Sequence, residues 1–383
     1  MAWTNEQLLA INSEGQNIIV SAGAGSGKTA VLTQRVITKL KKGVNINELL
    51  ILTFTNAAAM EMKDRIRGAI NNDKSLEKQL DLIDGSYITT FDSFAYSIVK
   101  KYHYLLNISN NISILDKTIC DTVRKKYLDE IFEEKYTKKD ETFLKMIKDL
   151  TIKDDSSIKK EILSLNELLD RLIDKENYLD NYINNFYNEK NINDLVDRFY
   201  EFVNKKIKKI NDLFENVASL CDEKYYEKLN CAIRSLLNAK TYDEYKVYSK
   251  VSFPILPKNS DDELKKNKDV LKNELDNLHS LFIYKDENHL KNTLYLTKDY
   301  AISIIDIIKL LDKRVLEYKY KIDEFEFNDI AKMAIKIVTD NEDVKENLSE
   351  SFKEIMVDEY QDTSDIQETL ITKISHNNVY MVG

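Results

Sequence analysis

Five short apolar runs punctuate the chain, each rich in β-forming residues and bounded by polar residues or glycine: Ile18–Ala22, Leu49–Thr55, Tyr87–Phe91, Glu354–Asp358 and Val379–Val382. Apolar runs of this length predict buried parallel strands. Three fall in the first 91 residues and two in the last 30, with helical patterns such as Ala57–Ile70 between them. One α/β sheet, with helices on both faces, must therefore be assembled from both ends of the chain. The periodicity changes in the middle. Ile162, Leu165, Leu168, Leu169, Leu172 and Ile173 recur at three- and four-residue steps, as do Ala301, Ile304, Ile305, Ile308, Leu311 and Val315. Both sets predict core-facing helical stripes. The expected organisation is a sheet-bearing domain over 1–112 and 322–383, interrupted by an all-helical insertion over 113–321.

Composition sharpens that division. Seven of the eight glycines lie at or before Gly85, and the eighth is Gly383; the two prolines are Pro254 and Pro257. The long middle thus has almost nothing to interrupt helices, and Pro254–Asp269 is its best loop or hinge candidate. Apolar residues make up 43% and charged residues 32% of the 383 positions, a globular composition with enough chain for two or three domain-sized units. No stretch approaches a membrane span and no N-terminal leader pattern is present, so a cytoplasmic location without membrane contact is expected. Cys120, Cys221 and Cys231 fall in no zinc or redox spacing and read as packed thiols. The net charge of −9 leaves no basic footprint overall, which a strand held in a local groove by stacking does not require.

The first apolar run leads into Gly23-Ala24-Gly25-Ser26-Gly27-Lys28-Thr29, then into a helical pattern through Val31, Leu32, Val36, Ile37 and Leu40. Strand, glycine-rich loop and helix in that order form a phosphate cradle: backbone N–H groups wrap the phosphates, and glycine permits the close approach and positive φ. Lys28 would meet the β- and γ-phosphates and the Thr29 hydroxyl would bind Mg²⁺. Ala22 stands where the common pattern has its first glycine. A second signal lies at the other end, where Glu354-Ile355-Met356-Val357 runs into Asp358-Glu359. A carboxylate at the end of a strand beside the loop can hold the same Mg²⁺, and the next can orient or deprotonate the attacking water. Asp358 is the expected metal residue and Glu359 the expected base.

Four segments add a resemblance. Asp358-Glu359-Tyr360-Gln361-Asp362-Thr363 resembles motif II of the UvrD/Rep group of superfamily 1 helicases. Thr53-Phe54-Thr55-Asn56-Ala57-Ala58-Ala59-Met60-Glu61-Met62 resembles motif Ia, and Thr89-Thr90-Phe91-Asp92-Ser93-Phe94 the threonine-aromatic motif that follows. Thr4-Asn5-Glu6-Gln7-Leu8-Leu9-Ala10-Ile11 resembles the Q motif. The resemblance implies a RecA-like P-loop fold, ATP and Mg²⁺ as cofactors, and hydrolysis coupled to movement on single-stranded DNA. It assigns adenine reading to Gln7, phosphate and Mg²⁺ binding to the loop from Ala22 through Gly23, Ala24, Gly25, Ser26, Gly27 and Lys28 to Thr29, and coupling to Gln361. DNA contact falls to Phe54, Thr55, Asn56, Thr90 and Phe91. Two positions depart from the family: Ala30 replaces a frequent arginine, and Asp92 a frequent histidine.

The length of the helical insertion, with Tyr318-Lys319-Tyr320-Lys321 and Phe325-Glu326-Phe327-Asn328-Asp329-Ile330 ahead of motif II, looks more like the AddA or RecB motors of helicase–nuclease complexes than like simple Rep-type helicases. An AddB-like nuclease partner is then expected, beside single-stranded DNA and a duplex junction. After Val379-Tyr380-Met381-Val382-Gly383 the family continues into a second RecA-like domain that supplies transition-state arginines, so these residues alone are expected to bind ATP–Mg and to turn it over poorly. A Rep-like repair helicase without nuclease and a P-loop ATP switch that handles no DNA are the alternatives. Lys205, Lys206, Lys208 and Lys209 form a basic cluster that reads first as a solvated face.

Overall fold

The computed structural model describes residues 3–23, 25–256 and 260–383; Ala24 of the glycine-rich loop and Pro257 of the expected hinge lie outside the described residues. The strands are β1 (Ile18–Val20), β2 (Leu49–Thr53), β3 (Tyr87–Thr90), β4 (Ser113–Ile114), β5 (Glu324–Phe325), β6 (Glu354–Val357) and β7 (Val379–Val382). Five of them form one all-parallel sheet in the order β1-β7-β6-β2-β3, while β4 and β5 pair separately. The two late strands are thus threaded between the early ones: β7 sits beside β1, and β6 beside β2.

Alternation along the strands gives each face its own core. Leu50, Leu52, Ile355, Val357, Val379 and Met381 pack with helices Phe91–Lys101, Phe327–Asp340 and Asp365–Ile374. Leu49, Ile51, Met356, Tyr380 and Val382 pack with helices Lys28–Lys41 and Asn56–Asn71. Central strands are buried throughout, as their apolar runs predict. β1 differs: it is an edge strand and leaves Ile19 68% exposed. Threonines set where helices start after β2 and β3, with Thr55 accepting from Ala58 N at 3.0 Å and Thr90 from Ser93 N at 3.2 Å.

The described contacts divide the chain into a sheet-bearing unit (1–138, 153–175 and 307–383) and a helical unit (139–152 and 176–306). The helical unit has its own core, including Val203, Ile210, Leu229, Leu271 and Leu275. This division differs from the 113–321 insertion expected from the sequence, because helices Lys117–Thr137 and Ser156–Leu169 group with the sheet. Ion pairs that an apolar pattern does not register hold that region: Arg124 meets Glu326 at 2.5 Å, and Lys319 meets Asp329 at 2.6 Å. Burial pushes the Glu326 carboxyl up, but Lys319 and Arg124 outweigh it and hold the group down to about 2. Two further expectations are corrected. Leu165, Leu168 and Ile173, read as core-facing, are 39%, 57% and 43% exposed, since only Ile162 and Leu169 of that stripe reach the core. The expected hinge is helical in its second half, where helix Asp262–His279 begins. Among the described residues no helix is long and apolar enough to cross a membrane.

One side chain gathers several of these elements. Arg35, on helix Lys28–Lys41, is fully buried and donates from Nε and Nη2 to the two oxygens of Glu354 at 2.9 and 2.5 Å. Its Nη1 donates to Ala10 O at 2.9 Å and Ile11 O at 3.1 Å, and its Nη2 to Ser13 O at 2.8 Å. All five guanidinium N–H groups are thereby used. The guanidinium also lies 4.1 Å from the centre of the Tyr380 ring. Arg35→Ala strands three backbone carbonyls and leaves Glu354 only Lys39 Nζ, 3.4 Å from its Oε1, so it is expected to destabilise the sheet-bearing unit by about 3 kcal/mol. Thermal melts check this; an unchanged Tm would contradict the assigned weight of the pair.

Candidate active site

Because the sheet is parallel, the residues that follow its strands emerge along one edge, where ligands bind in open α/β sheets. β1 opens into the glycine-rich loop, β6 into Asp358 and Glu359, β7 into Gly383, β2 into Phe54, and β3 into Phe91. Gly25 and Gly27 hold φ of +79° and +85°, a region that side chains disfavour. A Cβ at Gly23 or Gly25 would meet nothing within 4 Å, so the space over the loop is open. Helix Lys28–Lys41 starts at Gly27 with no side chain capping it, which leaves its first N–H groups to a ligand, as an anion site requires.

The charged groups converge here. Lys28 Nζ donates to Glu359 Oε2 at 3.0 Å, and Gln361 Nε2 donates to the same oxygen at 2.5 Å. The Gln361 hydrogen bond, with that of Lys28 next, holds the Glu359 carboxyl below its ordinary range. Glu359 is itself in the left-handed region, with φ of +54°, a conformation that costs energy for a non-glycine residue and concentrates at functional sites. Asp358 is buried, and its Oδ1 has no hydrogen-bond partner. Burial, then the neighbouring Glu359, pushes its carboxyl up. An unsatisfied buried carboxylate oxygen beside a phosphate cradle is a fit donor for a hard divalent cation. The half-buried Thr29 follows Lys28 in the first turn of the helix that the loop leads into.

Gln7 is already engaged. Its Oε1 accepts from Thr4 N at 3.0 Å in a capping box, and its Nε2 donates to Ser26 O at 3.1 Å. The amide expected to read adenine therefore links helix Asn5–Asn12 to the phosphate loop. Gln361 lies close against Gly383, where a Cβ would come within 2.5 Å of its Oε1, so the position has no room for a side chain. Gly383 N donates to Val20 O and its own O accepts from Ala22 N, each at 3.0 Å, so the β1–β7 ladder runs on to the base of the loop.

The segments expected to touch DNA separate into two kinds. Phe54 is half-buried, while Thr55 and Asn56 are exposed. Phe91 is instead a core residue at 3% exposure, its ring 5.7 Å from that of Phe54. It supports Phe54 and has no free face for a base. Thr90 is likewise buried, with its hydroxyl spent on Ser93 N and Ser93 Oγ. Asp92, in the same turn, is half-buried, and burial pushes its carboxyl up. In the helical unit, Lys205, Lys208 and Lys209 are exposed, as on the expected solvated face, and Lys206 and Lys209 also reach Glu274 at 3.7 and 2.6 Å. Sequence reading passed over Arg35, Glu354 and Gly383. Arg35 interrupts an apolar helical stripe and Glu354 opens an apolar strand; two opposite charges placed where apolar residues belong were the available signal.

A family model described as the UvrD/REP helicase N-terminal domain matches residues 3–383, and the chain belongs to this family. It is similar to the ATP-dependent helicase/nuclease A subunit of Clostridium botulinum (strain Okra / Type B1), with 29% identity over 420 residues, covering 99% of this chain and 33% of that protein. The protein of the same name from Alkaliphilus oremlandii is 31% identical over 428 residues, covering 100% and 34%. That of Clostridium beijerinckii is 28% identical over 431 residues, covering 100% and 34%. The chain spans about a third of the length of these relatives. Their shared name agrees with the AddA-like branch expected from the sequence, and the parallel sheet with helices on both faces with the expected RecA-like class.

The burial of Asp358 makes a testable demand. A folded-state pKa above the ordinary value means that the folded chain holds this proton more tightly than the unfolded chain does. Its ionisation penalty is absent below the ordinary aspartate value of about 3.9 and grows as pH rises through the window above it. Asp358→Asn, in chelator and without nucleotide, is thus expected to melt higher than the native chain at about pH 7 and to lose that advantage at about pH 3. Thermal melts at both pH values check this; a pH-independent difference would contradict it.

Proposed function

We propose that this chain is the ATP-binding first motor domain of a DNA helicase or translocase, hydrolysing ATP to move along single-stranded DNA. The observation that carries the reading is the convergence of Lys28, Asp358, Glu359 and Gln361 at the end of a parallel sheet, beside an uncapped helix start. In this assignment the loop from Ala22 to Thr29 binds the phosphates, Thr29 and Asp358 hold Mg²⁺, and Gln7 reads the adenine edge. The Mg²⁺ would neutralise charge on the β- and γ-phosphates.

Lys28 and Glu359 supply the control. A triphosphate offers the Lys28 ammonium a partner of higher charge than one carboxylate. Releasing Glu359 from Lys28 removes one of the two contacts that depress its carboxyl, so it becomes a better proton acceptor at the moment water must be oriented. Gln361 stays bonded to the same carboxylate oxygen and so registers the change. On the DNA side, Phe54, with Phe91 behind it, provides a stacking face, and Thr55 and Asn56 offer polar groups to backbone phosphate.

The all-helical unit fits a 1B-like inserted subdomain. The relatives' name suggests work alongside a nuclease activity, in double-strand break repair with an AddB-like partner in the cytoplasm. Equilibrium binding of labelled ATP–Mg and of oligothymidylate to the 383-residue chain tests the two sites separately. Lys28→Ala is expected to weaken ATP binding by at least about tenfold, since it removes a charge-assisted contact, and to spare the oligonucleotide. Phe54→Ala is expected to cost the oligonucleotide about 1–3 kcal/mol and to spare ATP. A chain without measurable ATP affinity, or oligonucleotide binding indifferent to Phe54→Ala, would overturn the reading.

A further inference from the structure

We propose that Arg35 is a positioning residue for base recognition, fixing the helix that carries Gln7 against the phosphate-loop helix so that the chain selects adenine nucleotides. This rests on the assignment of Gln7 to the adenine edge and adds what holds that residue in place.

Helix Asn5–Asn12 has little apolar anchorage. Of its eight residues only Ile11 is buried, while Leu8 and Leu9 are 42% and 70% exposed. Burial of one isoleucine is a weak hold for a helix that must keep an amide within hydrogen-bonding range of a base. What remains is polar. Arg35 collects Ala10 O, Ile11 O and Ser13 O, the last turn and the cap of that helix, with bonds of 2.8–3.1 Å. At the other end of the helix Gln7 meets Ser26 O. The helix is therefore pinned at both ends to the same loop-and-helix element, once by Gln7 and once by Arg35.

The arrangement separates two functions. Phosphate binding uses backbone N–H groups of the loop and Lys28, whereas helix Asn5–Asn12 reaches the loop through Gln7 on Ser26 O. Base selection needs Gln7 to leave Ser26 and present a donor and an acceptor to the adenine edge, and at that moment the Arg35 clamp becomes the principal remaining anchor. A clamp made of three bonds to one planar guanidinium, whose other two N–H groups are committed to Glu354, holds orientation as well as distance. Lysine cannot reproduce it, because an ammonium lacks the fixed fork.

The experiment compares ATP, GTP and inorganic tripolyphosphate, each with Mg²⁺, on the native chain and on Gln7→Ala, Arg35→Lys and the double variant Arg35→Met/Glu354→Leu. The double variant replaces the buried pair by apolar groups of similar volume and so guards against an unfolded single variant; circular dichroism verifies folding. The native chain should prefer ATP over GTP, and Gln7→Ala should lose that preference. Arg35→Lys, or the double variant if the single one does not fold, should lose about tenfold of the preference, the worth of about one hydrogen bond to the base, with tripolyphosphate affinity within about twofold. A native chain indifferent to the base overturns the Gln7 assignment and this inference with it. A native preference that survives in the Arg35 variants overturns this inference alone, as does an equal loss of tripolyphosphate binding.

Discussion

A buried guanidinium between two carboxylate oxygens and three backbone carbonyls is the constraint on which the rest of the sheet-bearing unit depends. Arg35 and Glu354 lie 319 positions apart in sequence and form the one fully engaged pair, among the described residues, that meets the phosphate-loop helix, the N-terminal helix and β6 at once, with the Tyr380 ring of β7 beneath it. Charges are costly to bury unless every donor is satisfied. Here every donor is, so the pair tolerates only the arrangement in which both ends of the chain are in place.

The chemistry follows from that threading. β7 and β6 enter between β1 and β2, so a loop that begins at Gly23 faces carboxylates at Asp358 and Glu359. Neither end holds a complete site alone. The glycine-rich loop offers donors and one cation, Lys28; the other end offers Asp358, Glu359 and Gln361. Their opposite sign brings them together as an ion pair, and the same opposition makes the pair responsive to a phosphate that competes for the cation.

Much of this was legible in the sequence, for reasons that differ by element. Buried parallel strands show as apolar runs, so all five were located to within two residues, the first two running two positions past the ends of β1 at Val20 and β2 at Thr53. The phosphate loop and acidic strand end are readable because their chemistry demands particular residue types at fixed places. Thr90 and Phe91 were ambiguous because a hydroxyl and an aromatic ring suit a helix cap and a core as well as they suit DNA, and the structure places them in the cap and the core. Leu165 and Leu168 misled because the stripe is wider than the surface it covers. Arg35 and Glu354 stood out only as charges in apolar positions; their pairing could not be read because three of the arginine's partners are carbonyls, which carry no residue identity, and the fourth is a glutamate 319 positions away.

The sheet order also has a consequence for biosynthesis. β1 has no hydrogen-bonding neighbour in the sheet except β7, so it leaves the ribosome long before the strand it must pair with. At about 5–20 residues per second, the stretch between them takes on the order of half a minute to translate. Throughout that interval the early segments expose apolar edges, while the helical unit, whose contacts are more local, can condense first. The helical arm would then be folded in the nascent chain before the sheet closes, and the site for nucleotide would follow it.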